Sequence, residues 1–137
     1  MAKQLFILIF PMVFSACVTV NIPGGKSEKA EGVQLTPPAK PFESQSSDEV
    51  DSAWKNSKNG NVISYLSDCK DPSDPALDQI VAGVLSGIAE MKIESSSAPT
   101  VQGREGRRVH VKGKVDGVAT HVELLVFKRN SCIYILN

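Results

Sequence analysis

Val109-His110-Val111-Lys112-Gly113-Lys114-Val115 and Val118-Ala119-Thr120-His121-Val122-Glu123-Leu124-Leu125-Val126 are two alternating runs joined by Asp116-Gly117. Side chains in a strand point to opposite faces in turn, so alternation of this kind marks a half-buried strand. Asp-Gly between two such runs is a two-residue hairpin signal, because both residues tolerate the positive φ that the tight turn requires. The pattern predicts strands over residues 107–115 and 118–128, with Val115 opposite Val118. That register places Val109, Val111, Val115, Val118, Val122, Leu124 and Val126 on one face. A turn near Asn130 and a strand over 132–136 add Ile133 and Ile135 to it.

The opposite face of the hairpin is mixed. It carries His110, Lys112, His121 and Glu123, then Leu125, Phe127, Cys132, Tyr134 and Leu136. Its far end is too apolar to lie comfortably in water. Leu125, Phe127, Tyr134 and Leu136 are therefore expected to meet a partner protein, the region around Phe42, or a further helix.

A helix must cover the valine face. Leu77, Ile80, Val81, Val84, Leu85 and Ile88 recur at helical spacing and form one apolar stripe. Ser73 or Asp74 suits the cap and Pro75 the first turn. Gly83 and Gly87 each cost about 1 kcal/mol relative to alanine, and their four-residue spacing permits close approach to a sheet. Strands are also predicted over 53–55, 62–66 and 92–97, the first two joined by a turn at Lys58-Asn59-Gly60-Asn61. The fold class is α+β, a mostly antiparallel sheet with one helix packed on one face, assigned to residues 49–137.

The N-terminal third reads differently. An apolar run from Leu5 leads into Phe14-Ser15-Ala16-Cys17, the pattern of a bacterial lipoprotein signal. Residues 1–16 are then a signal peptide and Cys17 is the lipid attachment site. The apolar run is shorter than the roughly 20 residues that span a bilayer. An ordinary secretory signal is the alternative, and either form implies export. By analogy with bacterial lipoproteins, Val18 after the cysteine favours the outer membrane, with the domain facing the periplasm. Residues 17–48, rich in Gly, Pro, Ser and Lys, read as a tether, although Phe42 could dock as an edge strand. Gly24-Gly25-Lys26-Ser27 lacks the spacing of a phosphate-binding loop.

Charge and cysteine content narrow the function classes. The chain has 15 basic and 15 acidic residues, and removing residues 1–16 takes away Lys3 alone, leaving a net charge of 14 − 15 = −1. No nucleic-acid footprint is present. Arg104, Arg107, Arg108, Lys112 and Lys114 cluster, either as a solvated strand face or as a contact for anionic lipid or polysaccharide. With Cys17 lipidated, Cys69 and Cys132 remain as an even pair in an oxidising compartment and are expected to bond. A redox or metal role for the pair lacks the C-x-x-C spacing it would need.

Trp54, Gly60-Asn61-Val62-Ile63-Ser64, Ser67-Asp68-Cys69, Gly103-Arg104-Glu105, Val115-Asp116-Gly117-Val118, Glu123-Leu124-Leu125-Val126 and Cys132-Ile133-Tyr134 carry a resemblance. They resemble an uncharacterised group of bacterial lipoproteins whose domain is similar in pattern to the PsbP and Mog1 fold. The resemblance covers roughly residues 33–137. It implies an antiparallel sheet between helices and an accessory or binding role, with no catalytic motif to carry over. Such proteins usually continue into a final helix, so it also implies a chain cut short at its C-terminus.

The sharpest chemical constellation is His110, His121 and Glu123. The register puts His110 opposite Glu123, with His121 on the same face, a plausible zinc set. The plainer reading is a cross-strand pair and a solvated histidine, with Lys112 repelling any cation. No serine sits in a nucleophile elbow, and Trp54 and Tyr134 suit core packing better than a pocket floor. The expectation is an envelope lipoprotein, bound to membrane lipid through Cys17, with a non-catalytic role, no cofactor and an envelope protein as its further partner. A metal-dependent or ligand-binding enzyme using the His110, His121 and Glu123 face is the alternative.

Overall fold

The fold is described from a computed structural model, which covers residues 29–30, 35–70 and 72–137. Cys17 and the 1–16 segment lie outside the described residues. Three two-residue turns dictate most of the architecture. Asp116 and Gly117 have φ of 49° and 79°, Asn130 and Ser131 52° and 61°, and Gln102 and Gly103 48° and 76°. Positive φ at both central residues is the turn whose twist matches that of paired strands. Each therefore folds the chain straight back on itself.

In chain order the elements are β1 (Phe42–Gln45), β2 (Ser52–Asn56), β3 (Val62–Asp68), α1 (Leu77–Leu85), β4 (Ala89–Ser97), β5 (Thr100–Val101), β6 (Arg104–Val115), β7 (Val118–Arg129) and β8 (Cys132–Leu136). The sheet order is β1-β2-β3-β8-β7-β6-β4, with β5 paired to β6, and every pairing is antiparallel. The expected hairpin register holds: Val115 pairs with Val118, Val111 with Val122 and Val109 with Leu124. Val126 pairs with Ile135, which extends the apolar face onto β8.

That face is the core. Leu66, Leu85, Val109, Val111, Leu124, Val126, Ile133 and Ile135 are buried together. All six residues of the helical stripe take part, although α1 itself stops at Leu85 and Ile88 packs from the connection beyond it. The helix starts later than its cap residues suggest. Ala76 is the N-cap, and its N–H donates to Gln79 Oε1 at 3.0 Å, so a glutamine side chain in the first turn reaches back to the cap. Between β3 and β4 the helix crosses over β8, β7 and β6, since the two strands it joins lie at different places in the sheet.

The structure refines two sequence expectations. The 17–48 stretch reads as tether with Phe42 able to dock as an edge strand, and that docking forms: β1 pairs along β2, from Phe42 opposite Asn56 to Gln45 opposite Ala53. The folded unit thus includes residues before 49. The second change concerns the apolar end of the opposite sheet face, where Phe127 and Tyr134 are 4% and 2% exposed. Ala30, Leu35, Trp54 and Val101 pack over them. These two rings are interior and offer no surface to a partner; Leu125 and Leu136 are half-buried. Among the described residues, no helix is long and apolar enough to cross a membrane.

Candidate functional site

The second sheet face divides into an aromatic half and a charged half. In the aromatic half, Phe127 stacks on Tyr134 at 4.8 Å between ring centroids and an 8° interplanar angle, and Tyr65 lies 6.4 Å from Tyr134. Cross-strand pairing aligns them: Phe127 opposite Tyr134 on β7 and β8, Tyr65 on the neighbouring β3. Beside them Ser67, fully buried, donates from Oγ to Asp51 Oδ2 at 2.5 Å and accepts the Ala30 N–H at 2.8 Å. Asp51 Oδ2 also accepts the Ser67 N–H at 3.0 Å. This relay ties the N-terminal segment to the sheet. The Tyr65 hydroxyl is buried with no hydrogen-bond partner among the described residues. Burial pushes its phenol above the ordinary range, against a pull from Ser67, while Asp51 and Tyr134 add to the rise.

Cys69 and Cys132 form a disulfide with an S–S distance of 2.03 Å. Asp68 pairs with Ile133 across β3 and β8, so the cystine occupies the next position in the same ladder. Cys132 is itself buried in the aromatic cluster, with Cys69 packed against it.

The charged half holds the candidate metal ligands. His110 stands opposite Glu123 and Lys112 opposite His121, as the hairpin register requires. His110 Nε2 is 3.7 Å from Glu123 Oε1, and Arg108 Nε is 3.5 Å from the same oxygen. Lys112 pairs with Glu94 on β4. That contact holds the Glu94 carboxyl below the usual carboxylate range, with further lowering from the charges of Lys112, His121 and Lys92. No group of three His, Cys, Asp or Glu side chains assembles as a metal site among the described residues. The geometry is a row of cross-strand ion pairs, in which Glu123 is shared with a guanidinium and His121 faces an ammonium.

The basic cluster is likewise paired at every member but Arg104 among the described residues. Arg107 Nε lies 2.7 Å from Asp78 Oδ1 on α1, and this contact raises the guanidinium pKa further. Lys114 is 2.8 Å from Glu90. A shallow groove that the sequence does not advertise runs between the start of α1 and the β7–β8 turn, lined by Asp74, Arg104, Lys128, Arg129 and Cys132. Its Lys128 Nζ donates to Asp74 Oδ1 at 2.7 Å and to the Pro75 carbonyl at 2.9 Å. Arg129 donates to the neutral Gln102 side chain and Arg104 has no acidic partner among the described residues, so the groove keeps a positive excess. No nucleophile–base pair emerges from these contacts among the described residues.

No family model matches the chain, and no curated protein matches it. One solved structure, PA94 from Pseudomonas aeruginosa, a protein of unknown function, is similar over 69% of this chain. The identity is 13%, the TM-score 0.45, and the chain spans 63% of that protein's length.

Proposed function

We propose that the chain is an exported lipoprotein of the bacterial envelope, with a PsbP/Mog1-like domain held at a membrane by lipid on Cys17. Its role is accessory binding rather than catalysis, and it binds an envelope protein through the exposed, charged half of the second sheet face. The observation that carries this reading is the Cys69–Cys132 cystine, because disulfides persist outside the reducing cytosol. The pattern Phe14-Ser15-Ala16-Cys17 supports the lipid anchor. Arg108, His110, Lys112, His121 and Glu123 support a polar contact surface, since all five lie on one face at least partly open to solvent. The antiparallel sheet with a helix on one face fits the proposed fold type.

Intact-mass analysis of protein recovered from membranes tests the reading. The expected species starts at Cys17, carries acyl mass and has lost two hydrogens at Cys69 and Cys132. An unprocessed, reduced chain recovered from the cytosol would overturn it.

A further inference from the structure

Strand β4 ends the sheet, so one of its edges has no strand beside it among the described residues. All nine of its residues are exposed. Met91 and Ile93, two apart and therefore on one face, expose 44% and 55% of their surface. Long edges of this kind are templates for pairing with another chain, and proteins usually blunt them with charges and bulges. β4 has both devices: register shifts flank Lys92 and Ile93, and Glu90, Lys92 and Glu94 are charged. The charges alternate in sign, however. A row of one sign would repel a second copy, whereas this row does not.

The strand is complementary to itself in one register. A second copy laid antiparallel about a two-fold axis at Ile93, the midpoint of Ala89–Ser97, puts Lys92 opposite Glu94 at two symmetric positions. Ile93 then meets Ile93 at the centre, between the register shifts that interrupt the strand on either side. Centring on Lys92 sets Lys92 against itself and Glu90 against Glu94. Centring on Glu94 sets that carboxylate against itself. Centring on Met91 pairs Glu90 with Lys92 but leaves 94–97 beyond the partner's strand. Among these registers, opposite charges face each other symmetrically about the strand's midpoint at Ile93 alone. Lys92 makes no ion pair among the described residues, whereas Glu90 and Glu94 are held by Lys114 and Lys112.

We infer that β4 is an interface between two copies of this chain, an isologous edge-to-edge contact that makes the two sheets continuous. The contact buries Ile93 against its symmetry mate and gives each Lys92 an acidic partner. The inference is independent of the lipid anchor and of the envelope role.

Sedimentation equilibrium of the full chain, with detergent present where it is needed, tests the contact. A reversible dimer is expected. Lys92→Glu converts both symmetric pairs to like charges and is expected to weaken dimerisation on the order of tenfold. Lys92→Glu combined with Glu94→Lys restores opposite charges and is expected to recover most of the loss. Thiol cross-linking checks the register. Ile93→Cys is expected to give a covalent dimer on mild oxidation, whereas Ser97→Cys, opposite residue 89, gives none beyond the parent chain treated alike. A monomer at every concentration, a dimer indifferent to the charge reversal, or equal cross-linking at 93 and 97 would each overturn the inference.

Discussion

Replacing Cys69 and Cys132 together with alanine removes a covalent link between residues 63 apart in sequence. Opening a loop of about 64 residues returns roughly 14 cal/mol/K of chain entropy to the unfolded state, or about 4 kcal/mol at 25 °C. The native state has less to lose, because β3 and β8 are paired up to Asp68 and Ile133 whether or not the sulfurs are joined. The penalty should therefore fall mainly on the unfolded chain. Urea unfolding followed by circular dichroism is the assay, with the oxidised parent, the parent in reductant and the double variant compared. The variant and the reduced parent are expected to be less stable by up to about 4 kcal/mol, a large part of the roughly 5–15 kcal/mol typical of a domain. Their denaturant slope is expected to steepen, since an uncrosslinked chain exposes more surface on unfolding. A loss below about 1 kcal/mol with an unchanged slope would refute the reasoning. So would a reductant effect that persists in the double variant.

Leu124 is fully buried at the centre of the core, under the helix, and Leu124→Ala is expected to cost about 2–5 kcal/mol in the same assay. Gly113 lets the start of β4 lie close: a Cβ there would collide with Ile88 Cγ2 and sit 2.8 Å from the Ala89 carbonyl oxygen. Gly113→Ala is expected to destabilise by about 1–3 kcal/mol, with amide exchange accelerated in β4. The Tyr65 hydroxyl is buried with no hydrogen-bond partner among the described residues, so Tyr65→Phe is expected to be neutral or stabilising by about 1 kcal/mol. The Tyr65 phenol is raised above its ordinary value of 10.0, so the folded state holds that proton more tightly than the unfolded state does. Stability is accordingly expected to fall as pH rises above about 10, and Tyr65→Phe should remove that share of the alkaline loss.

The parts of the fold that were legible in sequence are those encoded by local rules. Asp116-Gly117 fixed the hairpin register, and the alternating valines then predicted which residues face α1. The stripe from Leu77 to Ile88 was readable for the same reason, since helical periodicity needs no knowledge of the rest of the chain. What escaped depends on distant contacts. β5 has two residues, too few for a burial pattern, and β1, with four and none fully buried, was legible only as the edge docking that Phe42 allowed. The cover over Phe127 and Tyr134 comes from Ala30, Leu35, Trp54 and Val101, which no short-range pattern links. The charged half was readable as an arrangement, since His110 faces Glu123 as expected. The ion pairs from Glu94, Glu90 and Asp78 were not, because they come from elements whose placement the hairpin does not determine.

β8 is the last element in chain order, yet it lies between β3 and β7 and pairs with both. Among the described residues, everything before Cys132 comprises two half-sheets, β1-β2-β3 and β7-β6-β4, with no ladder between them. A ribosome that has delivered the chain only as far as residue 131 therefore holds halves that cannot yet zip together. The final five-residue strand acts as a keystone, and a nonsense codon just upstream of it should leave a product fit only for proteolysis.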